Sequence, residues 1–424
     1  MLTVGLTGNV ASGKSEVARL WRAQGVPVVD ADQLARDAVA PGTAGLDAVR
    51  EAFGSGILAP DGSLDRAALR RVVFEDDAAR ARLEAIVHPR VRALRDAWSA
   101  ARRAEGERLV VAEIPLLFET GAEDDVDVTV FVDAPDEERL RRMTEGRGLP
   151  EAEARAIMAA QMDPDRKRRL ADVVLDNSGS LEALRGRADA VLDDLRTRAG
   201  IVDVRMDLHL HTWGSWDCLS DPEAVLRRAR RLGYRRIAIT DHNRLDVALR
   251  MAEAHPDEII PGEEVKTAEG IDVIGLYLRE EIPKGTPGLE TIERIRAQGG
   301  IPYLPHPYAK GKGGGGRYAE EWGPLVDVIE VFNARMHPGR LNAPGAALAD
   351  RLGALRGAGS DSHLVGELGG AWVELPDHPN RPDALLRALG SARTGGRTAP
   401  HWVHLGSTWA KVRKRLPGAP GPAR

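Results

Sequence analysis

Residues 3–15 read TVGLTGNVASGKS, and this stretch decides the fold of the first half of the chain. An apolar run that suits a β-strand leads into a loop with the spacing G-x-x-x-x-G-K-S/T, and a helical pattern follows. In that order the backbone N–H groups face a phosphate, Lys14 reaches its oxygens and Ser15 holds Mg²⁺. The sequence therefore predicts a phosphate-binding loop between a strand and a helix. The residues expected to bind the phosphates are Gly8, Ala11, Ser12, Gly13, Lys14, Ser15 and Glu16.

The first two hundred residues alternate short β-rich runs with longer helical patterns, which is typical of a parallel sheet covered by helices. A last amphipathic stretch ends at Gly200, and a strand with different chemistry follows. Because 424 residues exceed the size at which one core keeps growing, we expect two domains. The predicted segments are a first domain at 1–200, a second at 201–405 and a disordered basic tail at 406–424.

The composition is that of a folded protein, with 43% hydrophobic and 29% charged residues. A formal charge of −5 gives no overall reason to expect a nucleic-acid partner, although a local contact, for example by the basic tail, stays an alternative. The single cysteine, Cys218, fits a reducing cytoplasm, and no apolar run is long enough to span a membrane. The glycine run at 311–316 predicts a mobile loop. Nothing in the sequence indicates an oligomeric state.

Histidines concentrate in the second half, where ten of the eleven lie beyond residue 200. His209 and His211 are two apart in a predicted strand and so point to the same side, and Asp361 and His363 repeat this spacing. Strands of an α/β barrel bring such residues together at one mouth, so the scatter predicts a metal site. Further candidate ligands between the two pairs are Asp217, His242, Glu264 and His306.

Several separated motifs in the first half resemble dephospho-CoA kinase over about residues 1–198. Besides the loop they are VDAD at 29–32, DGSLDR at 61–66, VHP at 87–89, PLLFE at 115–119 and ADVVLDN at 171–177. The resemblance implies a P-loop kinase domain with a parallel sheet and a helical lid. It also implies that ATP with Mg²⁺ phosphorylates the ribose 3′-hydroxyl of dephospho-CoA, which gives coenzyme A.

The same resemblance assigns roles to individual residues. Asp32 lies beside the acceptor hydroxyl and takes its proton, while Asp30 or Asp32 caps the following helix. His88 either contacts the acceptor or closes a helix. Two lid arginines are expected to cover the transferring phosphoryl group, and one asparagine to contact ATP. These three residues are Arg142, Arg147 and Asn177. The loop is less glycine-rich than is usual in the family, and Glu113 stands where aspartate is frequent.

The histidine motifs resemble the PHP domain of DNA polymerases and histidinol phosphatases over about residues 204–372. That family implies a distorted (β/α)₇ barrel with two or three divalent ions, and the mixed ligands allow Mn²⁺, Zn²⁺ or Fe²⁺. One ion would lie among His209, His211, Glu264 and Asp361, with Glu264 able to bridge. A second would lie among Asp217, His242 and His363, and a third would need His306 with Asp272 in place of a usual histidine. Arg335 either grips a substrate phosphate or forms a structural ion pair.

Clustered ions activate water and bind phosphoryl oxygens, which favours phosphoester hydrolysis of an unidentified substrate. The first hypothesis is therefore a bifunctional enzyme with two active sites. A second keeps the kinase and makes the barrel a non-catalytic metal-binding module. A third combines a kinase for another small acceptor with a nucleotide or nucleic-acid phosphoesterase. The motifs around Asp32 and His88 favour dephospho-CoA as the acceptor.

Overall fold

The computed structural model describes residues 1–74, 76–309, 314–400 and 403–414. It divides into two compact units, Met1–Ile201 and Val202–Arg424. The strands of the first unit are β1 (Leu2–Gly8), β2 (Val28–Asp30), β3 (Leu109–Glu113), β4 (Val128–Asp133) and β5 (Val173–Asp176). Its helices are α1 (Lys14–Ala23), α2 (Ala31–Asp37), α3 (Ala44–Phe53), α4 (Arg66–Phe74), α5 (Asp77–Ala104), α6 (Asp136–Arg147), α7 (Glu151–Ala159), α8 (Pro164–Leu170) and α9 (Leu181–Arg198).

The five strands of the first unit form one parallel sheet in the order β2-β3-β1-β4-β5, which confirms the predicted parallel sheet. Apolar side chains such as Val4, Leu6 and Val130 are fully buried, since helices cover the sheet. α1 packs against α9, where the Trp21 indole donates to the Ala188 carbonyl at 3.0 Å. Parallel pairing brings all strand ends to one edge, so the phosphate loop after β1 lies beside Glu113 at the end of β3.

The second unit contains nine strands and seven helices in its described part. The strands are β6 (Asp203–Leu210), β7 (Tyr234–His242), β8 (Ile259–Lys266), β9 (Asp272–Leu276), β10 (Ile301–Leu304), β11 (Val328–Asn333), β12 (Leu355–Gly359), β13 (Ala371–Pro376) and β14 (Arg393–Gly396). The helices are α10 (Pro222–Arg231), α11 (Asp246–Ala254), α12 (Gly288–Ala297), α13 (Arg317–Trp322), α14 (Ala343–Leu352), α15 (Pro382–Leu389) and α16 (Val403–Arg413).

Strands β6 to β12 lie side by side in chain order and curl into a nearly closed barrel. The barrel is distorted because β9 runs antiparallel to both of its neighbours, whereas the other pairs from β6 to β12 are parallel. Backbone hydrogen bonds close it beyond β12, where Asp361 donates to His209 and His211 donates to Ser362. Strands β13 and β14 extend the free edge of β6 in antiparallel fashion. The predicted distorted seven-stranded barrel is confirmed.

The C-terminal segment differs from its prediction. Residues 403–413 form α16, so the predicted disorder from residue 406 is wrong as far as Arg413. Helix α16 is held by side-chain contacts with the barrel, which the basic composition did not reveal. Residues 415–424 and the first half of the predicted glycine loop, 311–313, lie outside the described residues. Among the described helices, none has both the length and the apolar character needed to cross a bilayer.

Candidate functional site

The phosphate loop joins β1 to α1 through a tight backbone path. The Ser12 amide donates to the Asn9 carbonyl at 3.0 Å, and α1 begins at Lys14. Gly13 has a φ of 99°, and a Cβ at this position would collide with the Asn177 side-chain amide. Only glycine satisfies both conditions without strain. The loop therefore presents the free N–H groups of a helix N-terminus, which favour an anion.

Side chains from outside the loop bind its carbonyl oxygens. Arg139 donates to Val10 at 3.0 Å, and Asn177 donates to Ser12 at 2.7 Å. Arg142 donates to the carbonyl oxygens of Ala11 and Ser12 at 3.1 and 3.3 Å. Arg142 and Asn177 are thus brought to the loop as braces of its backbone.

The side chains of two other predicted residues make no contact with the loop in the described part of the chain. Glu16 faces along α1 and accepts from Arg19 at 2.8 Å. Arg147 is exposed at the C-terminal end of α6, and no contact in the described part of the chain joins it to the loop. A role for Arg147 over the phosphoryl group stays a prediction.

Glu113 connects the two functional side chains of the loop. Its Oε1 lies 2.6 Å from Lys14 Nζ and accepts from Ser15 Oγ at 2.7 Å, while Arg22 lies 3.5 Å from Oε2. Burial opposes the charge on Glu113, but Lys14 and Ser15 outweigh it and lower its pKa. The ionised carboxylate and the Ser15 hydroxyl are oxygen ligands of the kind that Mg²⁺ prefers.

An apolar cavity of about 280 Å³ contains both predicted acceptor residues, Asp32 and His88. Asp30 caps α2 by accepting from the Asp32 amide at 2.8 Å, which leaves the Asp32 carboxyl to the cavity. Partial desolvation there, together with the charge of Asp30, raises the pKa of Asp32. His88 does not close a helix, because α5 continues through Pro89 to Ala104. That alternative is wrong.

At the barrel mouth, Glu264 lies at the centre of a group of imidazoles. Its Oε2 is 3.5 Å from His209 Nε2, 3.3 Å from His211 Nε2 and 2.9 Å from His242 Nδ1. Its Oε1 is 3.1 Å from His306 Nε2. One carboxylate thus contacts four rings that come from the ends of three strands, β6, β7 and β10, which is the position of a bridging ligand.

The remaining predicted ligands complete the cluster. Asp361 Oδ1 lies 3.2 Å from His211 Nε2, and Asp217 Oδ1 lies 3.3 Å from His363 Nε2. Asp217 Oδ1 is also 3.7 Å from His242 Nε2. Three overlapping groups have ligand atoms within 4.8 Å of one another. They are His209, His211 and Asp361; His209, Glu264 and His306; and His211, His242 and His363.

The electrostatics of this cluster suit a cation. Burial opposes a charge on His211, but hydrogen bonds with Asp361 and Glu264 raise its pKa to about 9. Burial likewise opposes ionisation of Glu264, yet the surrounding histidines hold its pKa well below the usual value. Glu264 Oε2 and Asp217 Oδ1 are buried, and their nearest neighbours are imidazole nitrogens that make no well-aligned hydrogen bond to them. Divalent ions would supply the positive charge that these oxygens lack, so the donor set fits them.

Two buried carboxylates orient the ligands from behind. Glu330 Oε1 lies 3.1 Å from His209 Nδ1, which leaves Nε2 of that ring for an ion. Asp241 accepts from the backbone amides of Thr212 and Ser215 at 2.7 and 3.0 Å. Ser215 in turn lies 3.0 Å from His211 Nδ1. These contacts fix the ring orientations before any ion binds.

Asp272 and Arg335 line the same cavity but have other partners. Asp272 Oδ1 lies 2.7 Å from Lys266 Nζ. None of the three ligand groups found in the described part of the chain includes Asp272, although one of them includes His306, so the number of ions stays a prediction. Arg335 NH1 lies 2.6 Å from His363 Nδ1, and Arg335 NH2 donates to Ser407 at 2.7 Å. Arg335 is therefore held structurally at the edge of the cluster.

Comparison with known proteins assigns the first unit. Residues 2–183 match the family model for dephospho-CoA kinase. The dephospho-CoA kinase of Frankia casuarinae is 50% identical over 201 residues, which are 47% of this chain and 85% of the relative. The chain belongs to the dephospho-CoA kinase family. The dephospho-CoA kinase of Anaeromyxobacter dehalogenans is 48% identical over 47% of this chain and 95% of its own length. A solved structure, TT1252 from Thermus thermophilus, shares 43% identity with a TM-score of 0.41, covering 46% of this chain and 97% of that one.

The second unit is an addition to the dephospho-CoA kinase region. Residues 339–394, which include Asp361 and His363, match the PHP-associated family model. A two-domain protein from Bacteroides vulgatus, described as containing a predicted PHP-like metal-dependent phosphoesterase, is 15% identical with a TM-score of 0.39. That similarity covers 50% of this chain and 71% of the other.

Sequence reasoning missed several residues that the fold brings to the two sites. In the dephospho-CoA kinase unit, Glu113 was noted only as a departure, although a carboxylate at the end of an apolar strand was a usable signal. In the barrel, Glu330 is a carboxylate inside a buried strand, and this too was a usable signal. Ser407 and Lys411 had none, because they lie in a segment that was predicted to be disordered.

Proposed function

We propose that the first unit transfers the γ-phosphoryl group of ATP to the ribose 3′-hydroxyl of dephospho-CoA. The observation that carries this proposal is the acceptor cavity, which Asp32 and His88 line together with apolar and charged side chains. Lys14 is close enough to Asp32 to influence its pKa, so acceptor cavity and phosphate loop are neighbours. ATP dependence favours a cytoplasmic location. We propose 1–200 as the kinase domain and the residues from 201, with α16 included, as the metal-binding domain.

Each residue has a defined task in this reaction. Asp32 accepts the proton of the 3′-hydroxyl while the 3′-oxygen forms a bond to the γ-phosphorus. The bond between the γ-phosphorus and the β,γ-bridging oxygen breaks, and ADP leaves with that oxygen. Lys14 moves from Glu113 to the phosphate oxygens and neutralises their charge. Ser15 and Glu113 would hold Mg²⁺, which offsets the negative charge of the phosphates when bound. Arg142 and Asn177 keep the loop backbone in place.

An acceptor comparison tests the kinase proposal. We expect ADP formation to require dephospho-CoA, to fall by about 10²-fold or more in Lys14→Ala and to persist in His209→Ala. ADP would be measured in a coupled assay with equal concentrations of dephospho-CoA and of each nucleoside monophosphate. Equal turnover of the nucleoside monophosphates would replace this proposal with the small-acceptor alternative.

We propose further that the barrel hydrolyses a phosphoester with divalent ions at its mouth. Support comes from Glu264, which contacts four imidazoles, two of which also contact Asp217 or Asp361. Bound ions would lower the pKa of water and polarise the phosphoryl group. His209, His211, Glu264 and Asp361 would surround one ion, and Asp217, His242 and His363 a second, while Glu330 fixes the His209 ring.

A substrate panel tests the hydrolase proposal. The chain is loaded with Mn²⁺, Zn²⁺ or Fe²⁺, its metal content is measured, and phosphate release is followed with phosphomonoesters, nucleotides and short oligonucleotides. We expect release from at least one class and its loss in His211→Ala, because the remaining ligands cannot hold both ions. Silence across the panel with metal bound would support the non-catalytic module instead.

A further inference from the structure

The candidate metal centre opens into a cavity of about 520 Å³. Besides the proposed ligands, this cavity is lined by side chains that carry positive charge. They are Lys266, Lys284, Arg335 and Lys411. Four cations around one phosphoester site exceed what a single phosphoryl group requires, because bound ions would already offset its negative charge.

Two of these cations have partners close by. Lys266 lies 2.7 Å from Asp272, and Arg335 donates to Ser407 and lies 3.5 Å from Glu367. Lys284 and Lys411 differ, because within the described ranges neither pairs with a carboxylate. Among the described residues, no carboxylate therefore forms an ion pair with either of these two ammonium groups of the cavity wall.

Lys411 is held at the wall and is not a freely moving surface side chain. Its Nζ lies 4.4 Å from the centroid of the Trp216 ring, a cation–π contact that restrains the ammonium group. Trp216 is 54% exposed and lines the same cavity, directly before the proposed ligand Asp217. The aromatic ring thus keeps the positive charge at the rim of the metal centre.

The helix that carries Lys411 is itself fixed to the barrel. Near its first turn Arg335 donates to Ser407, and just beyond its last residue Lys414 donates to the carbonyl oxygens of Trp213 and Ser215. Helix α16 is therefore anchored at both ends to segments that carry or orient proposed metal ligands. It forms part of the wall of the cavity.

We propose that Lys284 and Lys411 form a second anion subsite, so that the substrate is a phosphomonoester with a second anionic group. This inference rests on the proposed hydrolase function of the barrel. One anionic group binds at the metal centre, and the other, a phosphate or a carboxylate, lies against the two ammonium groups. Lys284 and Lys411 then determine which phosphoesters bind.

Binding of non-hydrolysable ligands to the metal-loaded full chain tests the inference without relying on turnover. The probes are propylphosphonate and a series of α,ω-bisphosphonates with two to six methylene groups, measured by isothermal titration calorimetry. Charge-assisted contacts with the second group should tighten Kd by about tenfold at low salt for at least one chain length. The gain should shrink as ionic strength rises.

Variants assign that gain to the two lysines. Lys411→Gln and Lys284→Gln should each reduce the advantage of the bisphosphonate and leave propylphosphonate affinity unchanged, whereas Lys411→Arg should retain it. Arg279→Gln is the matched control, because Arg279 is exposed and is not among the described side chains that line the cavity. Equal affinity for mono- and bisphosphonates, or an advantage that survives both glutamine variants, would overturn the inference.

The two proposals fail in different ways. If the bisphosphonate advantage depends on Lys411 but no phosphoester is hydrolysed, the subsite stands and the hydrolase function fails. If phosphoesters are hydrolysed without preference for a second anion, the hydrolase function stands and the subsite fails. If neither phosphonate binds the metal-loaded chain and no phosphoester is hydrolysed, both are wrong.

Discussion

The phosphate loop and the barrel mouth are two solutions to the problem of binding a phosphate. The loop consists of consecutive residues, 8–15, whose backbone amides and one lysine offer positive charge directly. The barrel mouth gathers acidic and imidazole groups from residues 209 to 363, which need cations before they attract an anion. The first site depends on local backbone geometry, and the second depends on the closure of a whole barrel.

This difference extends to the surroundings of the two sites. Glu264 and His209 are completely or almost completely buried, and carboxylates behind them fix the rings. Asp32 lies in a more open cavity, and its pKa is raised by partial desolvation and by a neighbouring charge. A change at the barrel mouth should therefore act through metal affinity, whereas a change near Asp32 should act through rate and pH dependence.

The largest expected effect is on the kinase reaction. Asp32→Asn removes the proposed proton acceptor, so kcat with dephospho-CoA should fall on the order of 10²- to 10⁴-fold. Metal content of the barrel should not change, because the substitution lies in the other unit. Asp37→Asn, on the exposed face of the same helix, is the matched control and should keep nearly full activity. A kcat for Asp32→Asn within a factor of about three of the native value would exclude the proton-acceptor role.

Removing a metal ligand should have the next largest effect. His211→Ala deletes a ring that contacts both Glu264 and Asp361, so affinity for the ions should fall more than about 100-fold. The metal content that remains after dialysis, measured by mass spectrometry, tests this prediction. ADP formation should be unaffected. His255→Ala is the control, because His255 pairs with Glu223 away from the cluster. Full metal content in His211→Ala would rule out this ligand assignment.

A smaller effect is expected from a residue behind the ligands. Glu330→Gln keeps the size of the side chain but removes the charge that orients His209, so metal affinity should weaken about 10- to 100-fold. Titration with a competing chelator measures this change. Glu374→Gln, on strand β13 and paired with Arg205, serves as the control. Equal metal affinities of Glu330→Gln and Glu374→Gln would show that Glu330 contributes only to the fold and does not orient His209.

The smallest effect is a shift in pH dependence. Partial desolvation and the charge of Asp30 raise the pKa of Asp32, and only the deprotonated form accepts a proton. Activity should therefore fall as pH decreases through this raised pKa. Asp30→Asn keeps a helix cap and removes the charge, so the acid limb of kcat/KM should move to lower pH by less than about one unit. An acid limb that stays in place or moves upward would contradict this account of Asp32.

Prediction from the sequence succeeded where one element carried the signal. The loop spacing gave the strand, the turn and the start of α1, and the paired histidines gave the strand β6. It did not show that Lys266 on the neighbouring strand lies beside Asp272, whose role as a metal ligand stays a prediction. It also failed for α16, whose helix depends on contacts with the barrel and not on a periodic pattern of its own.

The sequence by itself determined that the chain has two parts, which residue types each part offers, and which chemistry those types support. These properties follow from short-range spacing, since a tight loop or an alternating strand is specified by neighbouring residues. Only the tertiary structure decided that Glu113 joins Lys14 to Ser15, that Glu264 lies among four rings and that Lys411 reaches the metal cavity. The contacts of Glu113 and Lys411 join residues that are about a hundred or more positions apart in the chain. Such residues meet only because helix packing, strand order and barrel closure bring them together.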